Sequence, residues 1–378
     1  MRVALAVDAL GPELTGVGRY CWELTSRLPH FSGVESMSFW RGFDAVPDPA
    51  CLLQPASSSG RRKFGWRRRA KRVAVRLGLR SRTADWPKMA GIDVFHGPNF
   101  MLPPWVERGV MTIHDLSVFR YPETHPPARI AAYEREFQSS LGRCTHIITP
   151  TQTVCDEVMA FTGMGAHMVS AVHMGVGGHF EPWPAARRNP VLTRLGLPAT
   201  GYGLTISALE PRKRIDRLLE AWRGLDPALR RTVPLVIAGA SGWNNDGLRG
   251  AIASAASEGW VIPLGYVAEG DLPAIYSGAT LFIYPSLYEG FGLPPIEAMA
   301  SGVPTIVANT SCLPEVTGGA AMLVDPDDRA GFTTALERGM LDEAWRSGAI
   351  LRGLAVASAY SWEECVEKTL EVYRRSVA

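Results

Sequence analysis

The chain has 378 residues, of which 46% are hydrophobic and 20% charged, with a formal net charge of +2. That length exceeds one ordinary core and points to two domains. The composition is that of a globular protein, and no apolar run approaches the roughly 18 residues of a membrane span, which excludes fibrous, disordered and membrane-spanning classes. The amino terminus, Met1–Asp8, reads as a buried parallel strand: Asp8 interrupts it and no small-residue cleavage site follows, so a strand is expected here in preference to a signal peptide. Expected strands in the first half are Arg2–Asp8, Ser36–Trp40, Ile92–His96, Val110–Ile113, His146–Thr149 and Met168–Val172. Expected helices there are Val17–Leu28, Ala128–Arg143 and Thr151–Thr162, with Thr151 as N-cap. Gly175–Asn189, rich in Gly and Pro, reads as an interdomain linker, and Asn189-Pro190 as a cap followed by proline at the first helical position. In the second half, strands are expected at Tyr202–Ser207, Pro234–Ala238, Val261–Leu264, Leu281–Tyr284, Thr305–Val307 and Ala321–Val324. Short apolar runs alternating with helical patterns indicate βαβ units and parallel sheets.

Six cysteines show neither CxxC spacing nor a metal-ligand grouping, and read as reduced, mostly buried thiols. The charge is unevenly placed. No Asp or Glu occurs from Pro49 to Ala84, while Arg61–Arg82 holds eleven Lys and Arg residues. Arg69, Arg72, Arg76 and Arg80 fall near one helical face. The stretch suits an anionic membrane surface or a lipid-diphosphate acceptor, or a solvated loop and helix. Nucleic acid is disfavoured, because aromatics are sparse and no nucleic-acid motif appears.

The chemistry concentrates in Glu289-Gly290-Phe291-Gly292-Leu293-Pro294-Pro295-Ile296-Glu297, where two glutamates have seven residues between them. The apolar strand Leu281–Tyr284 leads in. Pro294 and Pro295 suit a first helical turn, and Gly302 a helix stop. Glu289 is thus expected in a loop at the carboxyl end of a strand, and Glu297 in the first turns of a helix. Gly290 and Gly292 allow backbone amides close to a ligand. Two acceptors and a row of donors at a helix N-terminus suit a polyhydroxylated ligand carrying phosphate. The bland alternative is a pair of helix-capping glutamates. Upstream, Glu210-Pro211-Arg212-Lys213-Arg214 follows the strand Tyr202–Ser207, and its basic pair projects from a carboxyl edge where open α/β sheets bind ligands. Arg212 offers a planar fork to phosphate and Lys213 a compact charge; Arg214 reads as surface.

Tyr288-Glu289-Gly290-Phe291-Gly292-Leu293-Pro294, Glu297-Ala298-Met299-Ala300-Ser301-Gly302-Val303-Pro304 and Arg212-Lys213 together resemble the family-4 retaining glycosyltransferases. Weaker matches lie at Gly16–Tyr20, His96–Asn99 and His114-Asp115. The resemblance implies an α/β protein of two facing Rossmann-like domains (GT-B) with a deep interdomain cleft. The N-terminal, acceptor-side domain would span 1–180, joined by the C-terminal helix 361–378. The nucleotide-sugar domain would span 190–360.

It further implies that Arg212 and Lys213 clamp the donor diphosphate. Glu289 accepts from the transferred sugar's hydroxyls beside the amides of Gly290, Phe291, Gly292 and Leu293, and Glu297 accepts from the ribose. The backbone around Tyr266 and Val267 meets the base, with Gly239 at the same edge, and Gly16 lets a helix N-terminus approach the phosphate. His114 lies near the transferred sugar, completing a catalytic set of Glu289, His114, Lys213 and Arg212. Arg19 and Tyr20 steady the first helix or face the acceptor; His96, Asn99 and Asp115 lie on the acceptor side, and Asp115 could instead orient His114. Each has a structural alternative: tight β-to-α turns use glycine, and a strand-end histidine is often simply hydrogen-bonded. Many family members carry another arginine where Ser207 and Ala208 stand here, which blurs the individual roles of Arg212 and Lys213.

The expected reaction is hexose transfer from a nucleotide-diphosphate sugar to a glycan or lipid-linked acceptor, with retention and without metal or cofactor. No enzymic nucleophile stands out, which favours a front-face mechanism in which the leaving phosphate helps deprotonate the acceptor. Thr112–Glu123 and Phe95–Phe100 look like bacterial mannosyltransferases of surface-polysaccharide (lipopolysaccharide) assembly, making GDP-mannose the first donor to consider. The expected location is cytoplasmic, peripheral on the inner face of the membrane. Rivals are a nucleotide-sugar epimerase or phosphorylase on the same plan, and a noncatalytic nucleotide- or polyanion-binding protein.

Overall fold

The computed structural model describes residues 1–54, 91–199 and 201–377; the basic stretch Arg61–Arg82 lies outside them. Contacts divide the chain into two compact units. The first comprises Met1–Ile113, Arg135–Ile148 and Val366–Ala378, the second His114–Glu134 and Thr149–Cys365.

The first unit carries β1 (Arg2–Ala6), β2 (Ser36–Arg41), β3 (Asp44–Ala45), β4 (Val94–Gly97), β5 (Gly109–Thr112) and β6 (Cys144–Thr149), in the order β3-β2-β1-β4-β5-β6. The pairings are parallel except β2 with β3. Val3, Leu5, Phe95, Val110 and Met111 are buried, as near-continuous apolar strands covered on both faces require. Helix Gly16–Arg27 starts at Thr15, whose hydroxyl accepts from Gly18 N at 3.2 Å.

After β7 (Val169–Ala171), the second unit builds an all-parallel sheet from β8 (Gly203–Ile206), β9 (Leu235–Ala238), β10 (Val261–Gly265), β11 (Leu281–Tyr284), β12 (Thr305–Ala308) and β13 (Met322–Val324). Its order is β10-β9-β8-β11-β12-β13. Leu218, Trp222, Leu235, Ile237, Ile283, Ile306, Phe332 and Leu336 form one buried cluster against it. The chain winds outward from β8 to β10, then returns to the other side of β8 with β11. β8 and β11 are therefore neighbours at a topological switch point, and the loops leaving their carboxyl ends start about 4.8 Å apart.

Pro190 departs from expectation. The helix there is Ala185–Arg194, with Pro184 as N-cap and Pro190 inside it. Arg187 and Arg188 N–H both bond to the Pro184 carbonyl, at 2.9 and 3.1 Å. The first turn thus closes on Pro184 instead of Asn189, and the missing N–H of Pro190 falls within the helix. Gly175–Asn189 as a whole groups with the second unit. Val176 N donates to Tyr360 O at 3.2 Å, and Phe180 is buried against Tyr276. All six thiols are free, and only Cys51 is exposed.

Thr151 caps helix Gln152–Thr162, accepting from Val154 N at 3.2 Å. The remaining first-turn donors go to Glu315, whose carboxylate accepts from Gln152 N and Thr153 N at 2.8 Å and from Thr153 Oγ1 at 2.6 Å, with His173 Nε2 at 3.1 Å. Burial pushes this carboxyl up, but the four donors more than offset it, so it titrates at about 2 instead of 4.5. A depressed carboxyl stabilises the fold above its unfolded value, and that contribution disappears as pH falls through its folded value. Glu315→Gln is thus expected to cost about 2 kcal/mol at pH 7. In chemical denaturation the gap to wild type should close between pH 4.5 and 2; a pH-independent gap would refute this account.

Candidate active site

The switch point brings one buried ionic cluster together. From the β8 loop come Glu210, Arg212 and Lys213; from the β11 loop, Glu289; and from His114–Glu134, Asp115. Pro211–Lys213 form a single 3₁₀ turn, and Arg214, at φ +52°, reverses the chain into helix Ile215–Arg223. That turn aims Lys213 inward, where its ammonium bonds to Glu289 and, at 3.1 Å, to the Tyr284 hydroxyl. Lys213 and Glu289 are each only 7% exposed. Arg212 donates from Nη1 to Tyr288 O at 2.9 Å and from Nε to Glu210 at 3.1 Å; Nη1 also lies 3.6 Å from Glu289 and 3.8 Å from Asp115. The Arg212 carbonyl accepts from Leu287 N at 2.8 Å, so main chain and side chain both hold the β11 loop.

Three carboxylates share two cations out of water, so the charged forms lock one another in. Burial raises the Glu289 carboxyl, yet Lys213 and Arg212 bring it below its ordinary range. Asp115 behaves alike, through Arg212 and Ser117. Burial opposes the Arg212 charge, but Glu289, Asp115 and Glu210 raise it well above its usual value. Burial and the Glu289 charge keep the Tyr284 phenol protonated. His125 is pushed down to about 4 by burial, Arg129 and Arg212, and is neutral at physiological pH.

The glutamate run takes the expected local form. Glu289 lies in the loop after β11. Gly292, at φ +88°, is the N-cap of helix Leu293–Ala300, Pro294 and Pro295 lie in its first turn, and Gly302 follows its end at φ +73°. Gly290 is required by space: an added methyl would overlap the His114 carbonyl oxygen and come within 2.7 Å of its carbonyl carbon. Phe291 and Leu293 are buried. Glu297 accepts from the Tyr276 hydroxyl at 2.8 Å. At the neighbouring strand ends, Gly239 (φ +136°) has no room for a side chain beside the Ser207 backbone. Tyr266 is half exposed and Val267 is buried.

His114 is 7% exposed, with its backbone against Gly290, and Asp115 Oδ1 accepts from Ser117 N at 2.8 Å. The remaining residues named from the sequence belong to the first unit. Gly16 opens helix Gly16–Arg27, and Arg19 lies 3.8 Å from Glu23 on it. The Tyr20 hydroxyl is buried against Thr112 Oγ1 at 3.0 Å, which favours its helix-steadying alternative. His96 is fully buried, with Nδ1 at 2.7 Å from the Tyr373 hydroxyl and Nε2 at 2.8 Å from Thr112 Oγ1. Both ring nitrogens are thus engaged by side chains inside the unit. Asn99 is partly exposed.

Several residues around Glu289 escaped the sequence reading. Tyr284, the last residue of β11, contacts Lys213. The Tyr288 hydroxyl accepts from Leu116 N at 3.2 Å and donates to Glu157. Thr310, Ser311 and Cys312 contact the glutamate loop. Of these, only Tyr288 lies within the glutamate motif.

Residues 201–350 match the family model described as glycosyl transferases group 1. Across 380 aligned residues the chain is 36% identical to O-antigen chain mannosyltransferase B of Escherichia coli, covering 99% of this chain and 100% of that protein. The chain belongs to the group 1 glycosyltransferases. Among solved structures it is similar to sucrose-phosphate synthase from Thermosynechococcus elongatus, with a TM-score of 0.73 at 21% identity over 99% of this chain and 98% of that one. It is likewise similar to WaaG, a glycosyltransferase involved in lipopolysaccharide biosynthesis, with a TM-score of 0.71 at 16% identity over 98% and 99%. These likenesses establish the GT-B fold expected from the sequence, and this glycosyltransferase is of a retaining family. The buried cluster around Lys213 and Glu289 lies inside the matched segment. Among the described residues no helix is long and apolar enough to cross a membrane.

Proposed function

We propose that this enzyme transfers mannose from GDP-mannose to a growing O-antigen-type glycan on a lipid carrier. The observation that carries the reading is full-length similarity to an O-antigen chain mannosyltransferase. The ionic cluster supports the chemistry. Breaking the anomeric C–O bond leaves negative charge on the departing diphosphate, and preorganised cations stabilise that charge best in a dry site. Lys213 and Arg212 are such cations. In the free enzyme Lys213 is paired with Glu289, and Arg212 is shared among Glu210, Glu289 and Asp115. An arriving diphosphate competes for them, and Glu289 then turns its acceptor oxygens to the sugar hydroxyls. Glu297 accepts from the ribose, with Tyr276 fixing its carboxylate. His114 lies beside the transferred sugar. The acceptor hydroxyl attacks from the face the diphosphate leaves, its oxygen forms the new anomeric bond, and its proton passes to the leaving phosphate.

GDP-mannose with a mannosylated lipid-linked acceptor is expected to give GDP and an α-linked product by NMR. Release or interconversion of nucleotide sugar without acceptor would favour the epimerase reading, and selective turnover of a UDP-sugar would overturn the donor. The basic stretch Arg61–Arg82 supports peripheral attachment at the inner membrane face, where such an acceptor is presented. Vesicle flotation should require anionic lipid and fail when Arg67–Arg72 are neutralised; equal binding to neutral vesicles would refute this attachment.

A further inference from the structure

Three consecutive residues after β12 grip the loop that carries Glu289. Thr310 Oγ1 donates to Ser286 O at 3.0 Å, Ser311 Oγ accepts from Glu289 N at 3.1 Å, and the Cys312 thiol lies 3.2 Å from Glu289 O and 3.4 Å from Phe291 O. The middle residue holds a left-handed backbone, φ +50°, that side chains other than glycine and asparagine rarely adopt. Non-glycine residues persist in that region only where surrounding structure enforces it, and such strain collects at functional sites. A glycine would relieve the strain. It would also remove the side-chain oxygen that meets the backbone N–H of Glu289.

We infer that Ser311 is a positioning residue for transfer: its hydroxyl fixes the Glu289 backbone, and so sets the register of the carboxylate toward Lys213 and the donor sugar. This rests on the donor-binding role of Glu289 proposed above. The same stretch is anchored from the far side, because Glu315, one helical turn on, holds the N-terminus of helix Gln152–Thr162. Thr151 at that helix start donates to Gly290 O at 2.9 Å. The glutamate loop is therefore held at Ser286, Glu289, Gly290 and Phe291 by one continuous brace.

Ser311→Ala keeps the strain without the acceptor, Ser311→Gly removes both, and Ser311→Asn tolerates the left-handed backbone while restoring an acceptor oxygen. In a donor-saturated transfer assay, kcat is expected to fall about tenfold in Ser311→Ala and Ser311→Gly, and to return to within about threefold of wild type in Ser311→Asn, whatever the order of melting temperatures. A purely structural role predicts instead that Ser311→Gly is as active as wild type, or that activity follows stability; either result overturns the inference. Glu289→Ala, measured alongside, separates the two levels. If it retains turnover, the assigned role of Glu289 fails; if it is inactive while Ser311→Gly is fully active, only the positioning role fails.

Discussion

Lys213→Ala is expected to abolish transfer, lowering kcat by about 10²–10³ as an electrostatic stabiliser is lost. It should also destabilise the second unit by about 3–5 kcal/mol, because Glu289 remains buried without its closest cation. The two effects are separable. Changing Lys213→Met and Glu289→Gln together removes both charges and keeps most of the volume. A buried ion pair replaced as a pair costs far less than one broken on a single side. The double variant should therefore recover most of the stability lost by Lys213→Ala and none of the activity. Denaturant titration and transfer rates on the same preparations decide it. A stable double variant that also regains turnover would mean the pair is structural, and would remove the diphosphate clamp from the proposed mechanism.

The elements of the fold were legible because its sheets are parallel, apart from the short β3, and covered on both sides. Each strand is then a short apolar run between turn residues, and β9, β11 and β12 fall within a residue or two of their expected bounds. Sequence order alone does not say that β8 and β11 are neighbours. That adjacency is what joins Lys213 to Glu289 across more than seventy residues of chain. The glutamate run was readable for a local reason: Gly292, Pro294 and Gly302 each occupy a position at the helix start or just past its end that favours that residue type. His96 shows the opposite case. As a strand-end histidine it has the chemistry of a ligand residue, and nothing in the sequence tells that both ring nitrogens meet Tyr373 and Thr112 inside the first unit. Ser311 and Cys312 carry no sequence signal, because a hydroxyl near a strand end becomes informative only when the backbone donor it meets is known.

Gly290→Ala tests whether the close approach of two backbones is as necessary as the charges. Gly290 has no left-handed φ to protect, so the cost is one of space alone. The new methyl would overlap the His114 carbonyl oxygen and meet Asp115 Cβ at 3.2 Å. Backbone cannot swing aside as a flexible side chain can, so either the glutamate loop or the His114–Ser117 segment must shift. Over-packing of this kind costs about 1–3 kcal/mol. Its effect on rate should be larger, because it displaces Glu289, Asp115 and His114 together, and a displacement near 1 Å is enough to cost about a hundredfold. Gly247→Ala is the matched control: it lies in the helix Asp246–Ser257 with nothing within 4 Å of an added methyl. Because alanine is the better helix former by about 1 kcal/mol, that variant should be as stable as wild type or more so, and fully active. If Gly290→Ala instead matches the control in rate, the loop carrying Glu289 does not need its approach to His114, and the convergence of both segments on one sugar is lost as an explanation.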